Sequence, residues 1–218
     1  MTDTTLTLYL VRHPETDMNA ARRLAGSTEA QLSPLGLEQA QLVTARFHGV
    51  PLTRVYSSPQ VRCRVVAEQV TRGANLTLQL LGDLREAEMG EWEGREFSEL
   101  ERPYPQAREA WRSDPHFGPP GGESALAVWD RVQGALRTIV EHGPGAALVM
   151  SHGLTLRTAL GALTGYTRHT AWNHYPFRLT NTSVTVAEVL DPAWPLKPGA
   201  VVLHKLNDTY HLSESAGA

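Results

Sequence analysis

The sequence contains very little cysteine, since Cys63 is the one cysteine among 218 residues. A single cysteine can form neither an intrachain disulfide nor a cysteine-based metal cage. Long apolar runs are also absent, and none approaches the ~20 residues that a membrane span needs. The first residues lack a basic segment followed by an apolar core, so we expect no signal peptide. These features predict a protein of the reducing cytoplasm that has no membrane partner.

The sequence has no excess of positive charge. Lysine and arginine together number 20 and aspartate and glutamate 23, which gives a net charge of −3 at pH 7. Such a chain creates no overall basic field, so we expect no nucleic-acid partner. An anionic ligand must therefore be captured by a local cluster. The length and the 41% hydrophobic content suit one globular domain over residues 1–218.

Strand-like and helix-like segments alternate along the chain. The predicted strands cover residues 6–11, 54–57, 76–80, 146–150, 183–190 and 200–206. The predicted helices cover residues 34–47, 61–70, 123–141 and 154–163. Ser33-Pro34 and Ser58-Pro59 each predict an N-cap followed by a first-turn proline. The order predicts an α/β three-layer sandwich with a mostly parallel central sheet, helices on both faces and a late edge hairpin. The proline-rich and glycine-rich residues 95–122 are expected to form a helical insertion that covers the site.

Three predicted strand ends lead into polar side chains that suit a phosphoryl group. Arg12 and His13 follow the first strand, Arg62 lies in the helix after the second, and His152 follows the strand at 146–150. The carboxyl ends of parallel strands meet at one crevice. Arginines and helix N-termini bind phosphate oxygens, a neutral imidazole is a nucleophile, and a second, protonated imidazole stabilises developing negative charge.

Each of these residues also has a structural interpretation. A histidine after a strand is usually a cap or a surface residue, and an arginine such as Arg62 is usually an ion-pair partner. The glutamates after residue 85 could form a solvated acidic loop. The argument for a site therefore depends on the co-occurrence of these residues at strand ends. No metal-ligand spacing is present, so we expect no metal and no cofactor.

The segment Leu-Tyr-Leu-Val-Arg-His-Pro-Glu-Thr-Asp-Met-Asn at residues 8–19 resembles the signature of the histidine phosphatase superfamily, also called the phosphoglycerate mutase-like family. Residues 32–40, 57–63 and 150–153 resemble three further motifs in the family order, and residues 181–184 resemble its late strand. The main resemblance spans about residues 6–163. It implies the same α/β fold and a phosphohistidine chemistry.

The resemblance also implies a role for each matching residue. His13 is then the nucleophile that becomes phosphohistidine, and Asn19 occupies a phosphate-contacting position. Glu86 is similar to the family's proton donor, with the neighbouring Glu88 left open as an alternative. The residues implied to hold the phosphate and stabilise its transfer are Arg12, Arg62 and His152. The further positions expected to bind substrate are Gly26 and Gly153.

One residue departs from the family signature. Pro14 stands where the family has a glycine after the nucleophilic histidine. Proline fixes φ and lacks a backbone N–H, so the loop must differ here if the glycine uses a positive φ. The role of Glu123, in the Pro-Gly-Gly-Glu-Ser run at residues 120–124, is left open. That run resembles the phosphatase branches of the family and is explained equally well by helix capping.

The loop at residues 84–94 contains Glu86 and is called the acid loop. Its sequence favours a phosphatase over a mutase. Met89 stands where the mutase branch has tyrosine, and Phe97 falls near the place of its lysine. Near Trp111 the insertion offers only the isolated Arg108 and Arg112. We therefore predict a metal-independent histidine acid-type phosphatase that hydrolyses a small phosphorylated metabolite, with broad specificity as one option. The alternatives are a cofactor-dependent phosphoglycerate mutase and a catalytically weak phosphate-binding module. The sequence leaves homo-oligomer formation open.

Overall fold

The structure is a computed structural model that describes residues 4–100, 102–168, 170 and 177–213, except for the side chains of residues 108 and 112. Its centre is a six-stranded sheet with the strand order β3-β2-β4-β1-β5-β6. The strands are β1 (Leu6–Arg12), β2 (Arg54–Ser57), β3 (Leu78–Leu80), β4 (Gly145–Ser151), β5 (Val184–Val189) and β6 (Val201–Asp208).

The strand directions confirm the predicted fold class. Strands β3, β2, β4 and β1 pair in parallel, whereas β5 is antiparallel to β1 and β6 is antiparallel to β5. The late edge hairpin is therefore confirmed. In the register of β1 and β4, Arg12 lies opposite Ser151, so the residues that follow these two strands emerge side by side at one end of the sheet.

Helices cover both faces of this sheet. In chain order the described helices are α1 (Asp17–Ala20), α2 (Pro34–Arg46), α3 (Val61–Ala74), α4 (Phe97–Leu100), α5 (Ala107–Ser113), α6 (Ala125–Glu141) and α7 (Gly153–Leu163). Helices α2 and α3 cover one face of the sheet, and α6 and α7 cover the other. Leu6, Leu8 and Leu10 of β1 pack in the core that contains α6 and α7. Val11 belongs to the second core, with α2 and α3, because successive side chains of a strand point to opposite faces. Among the helices of the described ranges, none has the length and apolar character of a membrane span.

Two helix N-caps were predicted from Ser-Pro pairs, and one of them is wrong, although both helices begin where predicted, at Pro34 and Val61. Ser33 caps α2, where its Oγ accepts a hydrogen bond from the backbone N–H of Gly36 at 3.0 Å. Helix α3 is instead preceded by Gln60 as N-cap, and this side chain makes no capping bond. The helix also extends beyond residue 70 to Ala74, because Asn75, with φ 54°, takes the left-handed conformation that ends it.

The insertion at residues 95–122 contains the short helices α4 and α5, as predicted, and packs on Trp92. The indole of Trp92 is fully buried. The ring centroids of Phe97, Tyr104, Trp111 and Phe117 lie 5.7–6.1 Å from that of Trp92. Offset and edge-on aromatic contacts of this kind hold the insertion against the sheet. That the chain forms one domain over residues 1–218 stays a prediction.

A buried histidine beside α2 makes stability depend on pH. Arg46 of α2 contacts both Asp208, with Nη2 2.6 Å from Oδ2, and His211, with Nη1 3.0 Å from Nδ1. Burial, followed by the positive charge of Arg46, lowers the pKa of His211 to about 4. The unfolded chain therefore binds this proton more readily than the folded chain. The stabilisation is complete above the unfolded pKa of ~6.5 and is lost as the pH falls towards 4.

We expect the variant His211→Asn to lose this dependence, because asparagine keeps an acceptor for Arg46 and does not titrate. The difference in the free energy of unfolding between the wild type and this variant should fall by up to about 3 kcal/mol between pH 7.5 and pH 4. Urea denaturation at a series of pH values measures it. Subtracting the variant from the wild type cancels the titration of the other groups. A difference in the free energy of unfolding that stays constant with pH would contradict the lowered pKa of His211.

Candidate active site

The histidines that follow β1 and β4 lie next to each other. His13 and His152 are buried, and their ring centroids are 5.1 Å apart with the ring planes tilted by 53°. The backbone N–H of His13 donates to the carbonyl of Ser151 at 2.9 Å, which continues the pairing of the two strands by one residue. The parallel register therefore brings the two predicted histidines to one point.

One hydrogen bond fixes the tautomer of His13. Its Nδ1 lies 2.7 Å from the carbonyl oxygen of Pro14, and because a carbonyl only accepts, Nδ1 carries the proton. Burial, followed by the charges of Arg12 and Arg62, lowers the pKa of His13 well below its ordinary value. The imidazole is therefore neutral at neutral pH, and its Nε2 presents a lone pair. Proline keeps the carbonyl that this contact needs, so the departure from the family glycine does not disturb it.

Arg62 is almost fully buried and is held by the loop at residues 26–28. Its Nη1 donates to the carbonyl of Thr28 at 2.9 Å and its Nη2 to that of Gly26 at 2.8 Å. Gly26 has φ 49°, and a Cβ there would come within 2.5 Å of Glu93 Oε1. The structure thus gives Gly26 a contact with Arg62, which orients the guanidinium. Its predicted contact with substrate stays untested.

The second histidine differs from the prediction that it is protonated. Nε of Arg62 donates to Nδ1 of His152 at 3.2 Å, so the ring proton lies on Nε2, which is 2.8 Å from Ser58 Oγ. Burial, followed by the charges of His13 and Arg62, lowers the pKa of His152 well below its ordinary value. A buried imidazole beside guanidinium groups does not hold a proton unless an anion is present.

Arg12 has a donor that meets no acceptor among the described residues. Its Nη1 donates to the carbonyl of Leu179 at 2.7 Å, whereas its buried Nε has no hydrogen-bond partner. A Cβ on Gly153 would lie 3.5 Å from this Nε, so the glycine at the start of α7 leaves room beside the guanidinium. A buried N–H of this kind can be satisfied by a phosphate oxygen.

Glu86 lies against the N-terminus of α7. Its Oε2 accepts from the backbone N–H of Leu154 at 3.1 Å, and its Oε1 accepts from the backbone N–H and the hydroxyl of Thr155, both at 3.2 Å. At the start of α3, Glu29 Oε2 accepts from the N–H of Val61 at 3.1 Å. Free helix N-termini were predicted to bind the phosphate, and the structure corrects this. Carboxylates bind these amides because the first turn of a helix attracts negative charge.

Asn19 is tied to the loop of His13. Its Oδ1 accepts from the backbone N–H of Thr16 at 3.2 Å and from Nδ2 of Asn181 at 3.1 Å. Asn181 also donates to the carbonyl of His13 at 3.0 Å. Because these bonds use the oxygen of Asn19, its amide nitrogen is the end that can meet an anion.

Glu123 holds the acid loop in place. Both of its carboxylate oxygens accept from Arg131, at 2.8 and 3.0 Å, and Oε2 also accepts from the backbone N–H of Glu88 at 3.0 Å. A Cβ on Gly122 would lie 2.4 Å from the carbonyl of Glu88, so the two segments require a glycine here. Ser124 caps α6. The run at 120–124 therefore both caps a helix and docks the loop.

The sequence interpretation missed the polar residues that connect these groups. They are Ser58, Gln60, Thr155 and Asn181. Ser58 is one of the two serines that open the matched segment at residues 57–63, so the motif was a signal that could have found it, whereas Gln60 occupies a variable position of that motif and gave no signal. Thr155 gave no comparable signal, because a threonine in the first turn of a helix is common.

Comparisons with known proteins agree on one family. The model of the histidine phosphatase superfamily (branch 1) matches residues 8–198. A Salmonella choleraesuis (strain SC-B67) protein named "Probable phosphoglycerate mutase GpmB" is 32% identical over 217 residues, which cover 97% of each chain.

Solved structures of phosphatases share the fold. The mycobacterial glucosyl-3-phosphoglycerate phosphatase Rv2419c in complex with VO3 superposes with a TM-score of 0.81 and 25% identity, over 93% of this chain and 99% of that chain. The α-ribazole phosphatase from Shigella flexneri gives a TM-score of 0.78 and 25% identity, over 93% and 96% of the two chains. The relatives therefore carry both mutase and phosphatase names.

Proposed function

The chain belongs to the histidine phosphatase superfamily, and on this premise we propose that it is a phosphomonoester hydrolase that works through a phosphohistidine on His13. The observation that carries the proposal is the neutral His13, whose Nδ1 is held by Pro14 at 2.7 Å and whose Nε2 presents a lone pair beside the guanidinium groups of Arg12 and the buried Arg62. The phosphatase activity named for two similar structures supports it.

In the first step the phosphate lies among Arg12, Arg62, His152 and Asn19. Nε2 of His13 attacks phosphorus, and the bond between phosphorus and the oxygen of the alcohol breaks. Glu86, in its protonated form, gives its proton to that oxygen, so the alcohol leaves neutral. The guanidinium groups stabilise the negative charge that develops on the transferring group.

In the second step Glu86 is a carboxylate and acts as a base. It takes a proton from a water molecule, whose oxygen attacks phosphorus and breaks the bond to Nε2 of His13. Inorganic phosphate forms, the imidazole returns to its neutral state, and Glu86 is protonated again. The same two side chains thus serve both halves of the reaction.

A phosphoglycerate mutase is the second candidate, because the curated relative at 32% identity carries that name. In a mutase, a substrate hydroxyl receives the phosphoryl group in place of water. Met89 is buried in the core and Phe97 packs on Trp92, so neither offers a polar contact to a substrate carboxylate. The side chains of Arg108 and Arg112 lie outside the described part of the structure.

A panel of phosphomonoesters tests the proposed function. It should contain sugar phosphates, phosphoglycerates, nucleotides and α-ribazole phosphate, with release of inorganic phosphate as the measurement. We expect hydrolysis of at least one member. Isomerisation of 3-phosphoglycerate that requires 2,3-bisphosphoglycerate would favour the mutase instead. No turnover of any ester at micromolar enzyme would favour a phosphate-binding module.

Activity is expected to survive removal of divalent metal ions. The two guanidinium groups supply the hydrogen-bond donors and the positive charge that a metal would otherwise provide. The rate of phosphate release should therefore be unchanged after dialysis against EDTA. A loss that zinc or magnesium restores would contradict the site proposed here.

A further inference from the structure

Gln60 is buried between the acid loop, which carries Glu86, and the loop at residues 26–28, which holds Arg62. It precedes α3 as the N-cap residue, but its side chain makes no capping bond and is 4% exposed. A buried amide needs partners for both its oxygen and its nitrogen. The other contacts of this side chain therefore account for its position.

The oxygen of the Gln60 amide holds the acid loop. Oε1 accepts from the backbone N–H of Glu86 at 2.9 Å, across 26 residues of chain. The carboxylate of the same Glu86 is bound to the N-terminus of α7. Glu86 is thus held at its backbone by Gln60 and at its carboxylate by Leu154 and Thr155.

The nitrogen of the Gln60 amide holds the loop at residues 26–28, whose carbonyls orient Arg62. Nε2 donates to the carbonyl of Gly26 at 3.1 Å and to that of Ser27 at 3.3 Å. Arg62 donates to the same Gly26 carbonyl at 2.8 Å. One amide therefore connects the backbone of the proposed proton donor with the carbonyl that orients a proposed phosphate-binding arginine.

We infer that Gln60 is a positioning residue that sets Glu86 at the distance from the bound phosphate at which it can protonate the leaving group. The inference rests on the proposed function. Protonation requires the acid within hydrogen-bond reach of the leaving oxygen, and small misplacements of a catalytic group cause large losses of rate. Replacement of Gln60 should therefore harm the substrates whose leaving groups need a proton.

The test compares an alkyl phosphate with p-nitrophenyl phosphate, because p-nitrophenolate leaves with little need for a proton. The measured quantity is kcat/KM, which reports the steps up to departure of the leaving group. Gln60→Met removes both arms of the amide and should lower kcat/KM for the alkyl phosphate about 10-fold more than for p-nitrophenyl phosphate. In Gln60→Glu the side chain keeps an acceptor for the N–H of Glu86, so this selective loss should be smaller.

A double-mutant cycle separates this role from a general effect on the fold. In a Glu86→Gln background, Gln60→Met should add no further selective loss, because the group that it positions is already inactive. Gln69→Met is the matched control, since Gln69 lies on helix α3, which Gln60 precedes, and makes no hydrogen bond to any of the proposed site residues, all of which the structure describes. Its Oε1 accepts a hydrogen bond from the hydroxyl of Thr44 at 3.0 Å. This control should leave kcat/KM unchanged for both substrates.

The outcomes distinguish this inference from the proposed function. Equal losses for both substrates in Gln60→Met, or an additive selective loss in the Glu86→Gln background, would overturn the role of Gln60 and leave the phosphatase proposal intact. If Gln60→Met does not fold, Gln60→Glu, which removes only the bonds from the amide nitrogen to Gly26 and Ser27, becomes the test. A selective loss larger than that in Gln69→Met then supports the inference, and the absence of a selective loss overturns it. A wild type that hydrolyses neither ester would overturn both proposals.

Discussion

The variant His13→Ala is expected to lose turnover by several orders of magnitude on every substrate. Alanine has no lone pair at the position of Nε2, so no covalent intermediate can form and the two-step route is closed. The loss should appear in kcat and be equal for alkyl and aryl phosphates. Phosphate binding should be largely retained, because Arg12 and Arg62 are held by backbone carbonyls and not by His13.

The covalent intermediate provides the direct check. Wild-type protein quenched during turnover should carry an acid-labile, base-stable phosphate that mass spectrometry locates on His13, and His13→Ala should carry none. His48→Ala is a suitable control, because His48 is exposed and lies outside the site. A label on His152 would reverse the assignment of the nucleophile, and a fully active His13→Ala would refute the mechanism.

The second large effect is expected for Glu86→Gln. The amide cannot donate a proton to the leaving alkoxide, and general acid catalysis is typically worth ~10²–10⁴-fold. The rate on alkyl phosphates should fall by that order. Formation of the phosphohistidine from p-nitrophenyl phosphate should be spared and seen as a burst of p-nitrophenolate, followed by slow release of phosphate because Glu86 also activates water.

Glu88→Gln is the matched control for this prediction. The structure anchors Glu88 through its backbone, with its N–H on Glu123 and its carbonyl receiving the N–H of Glu123. We expect little change in either substrate. Equal losses for both substrate types in Glu86→Gln would indicate that Glu86 only caps α7, and a larger loss in Glu88→Gln would move the acid role to Glu88.

Because the carboxylate of Glu86 caps α7, the stability of the Glu86→Gln variant must be measured as well as its activity. The carboxylate accepts from two backbone N–H groups of α7, and an amide in its place presents a donor to one of them. Loss of such a cap typically costs about 1 kcal/mol. Thermal unfolding of Glu86→Gln separates this cost from the loss of the proton, since a folded variant with a normal burst is impaired in chemistry alone.

Local sequence patterns were enough to predict the fold class and the residues at the strand ends. Apolar runs such as residues 146–150, followed by Ser151 and His152, identify a central strand and its exit, because these signals depend on neighbours in the chain. Ser33 was recognised as a cap for the same reason. The Ser58-Pro59 pair was wrongly predicted to be a cap, since the local pattern does not show that Ser58 lies before the N-cap position, which Gln60 occupies.

The hydrogen bonds and protonation states of these residues follow from the tertiary structure and not from local sequence. The neutral state of His152 follows from Arg62, which lies 90 residues away in the chain, and the carboxylate on α7 comes from Glu86, 68 and 69 residues before its partners. The sequence suggests that Gln60 is a surface residue. In the fold it is buried, and its amide connects the carbonyl of Gly26 with the backbone N–H of Glu86. Protonation and hydrogen bonding depend on burial and on distant charges, which the sheet register brings together and no local pattern encodes.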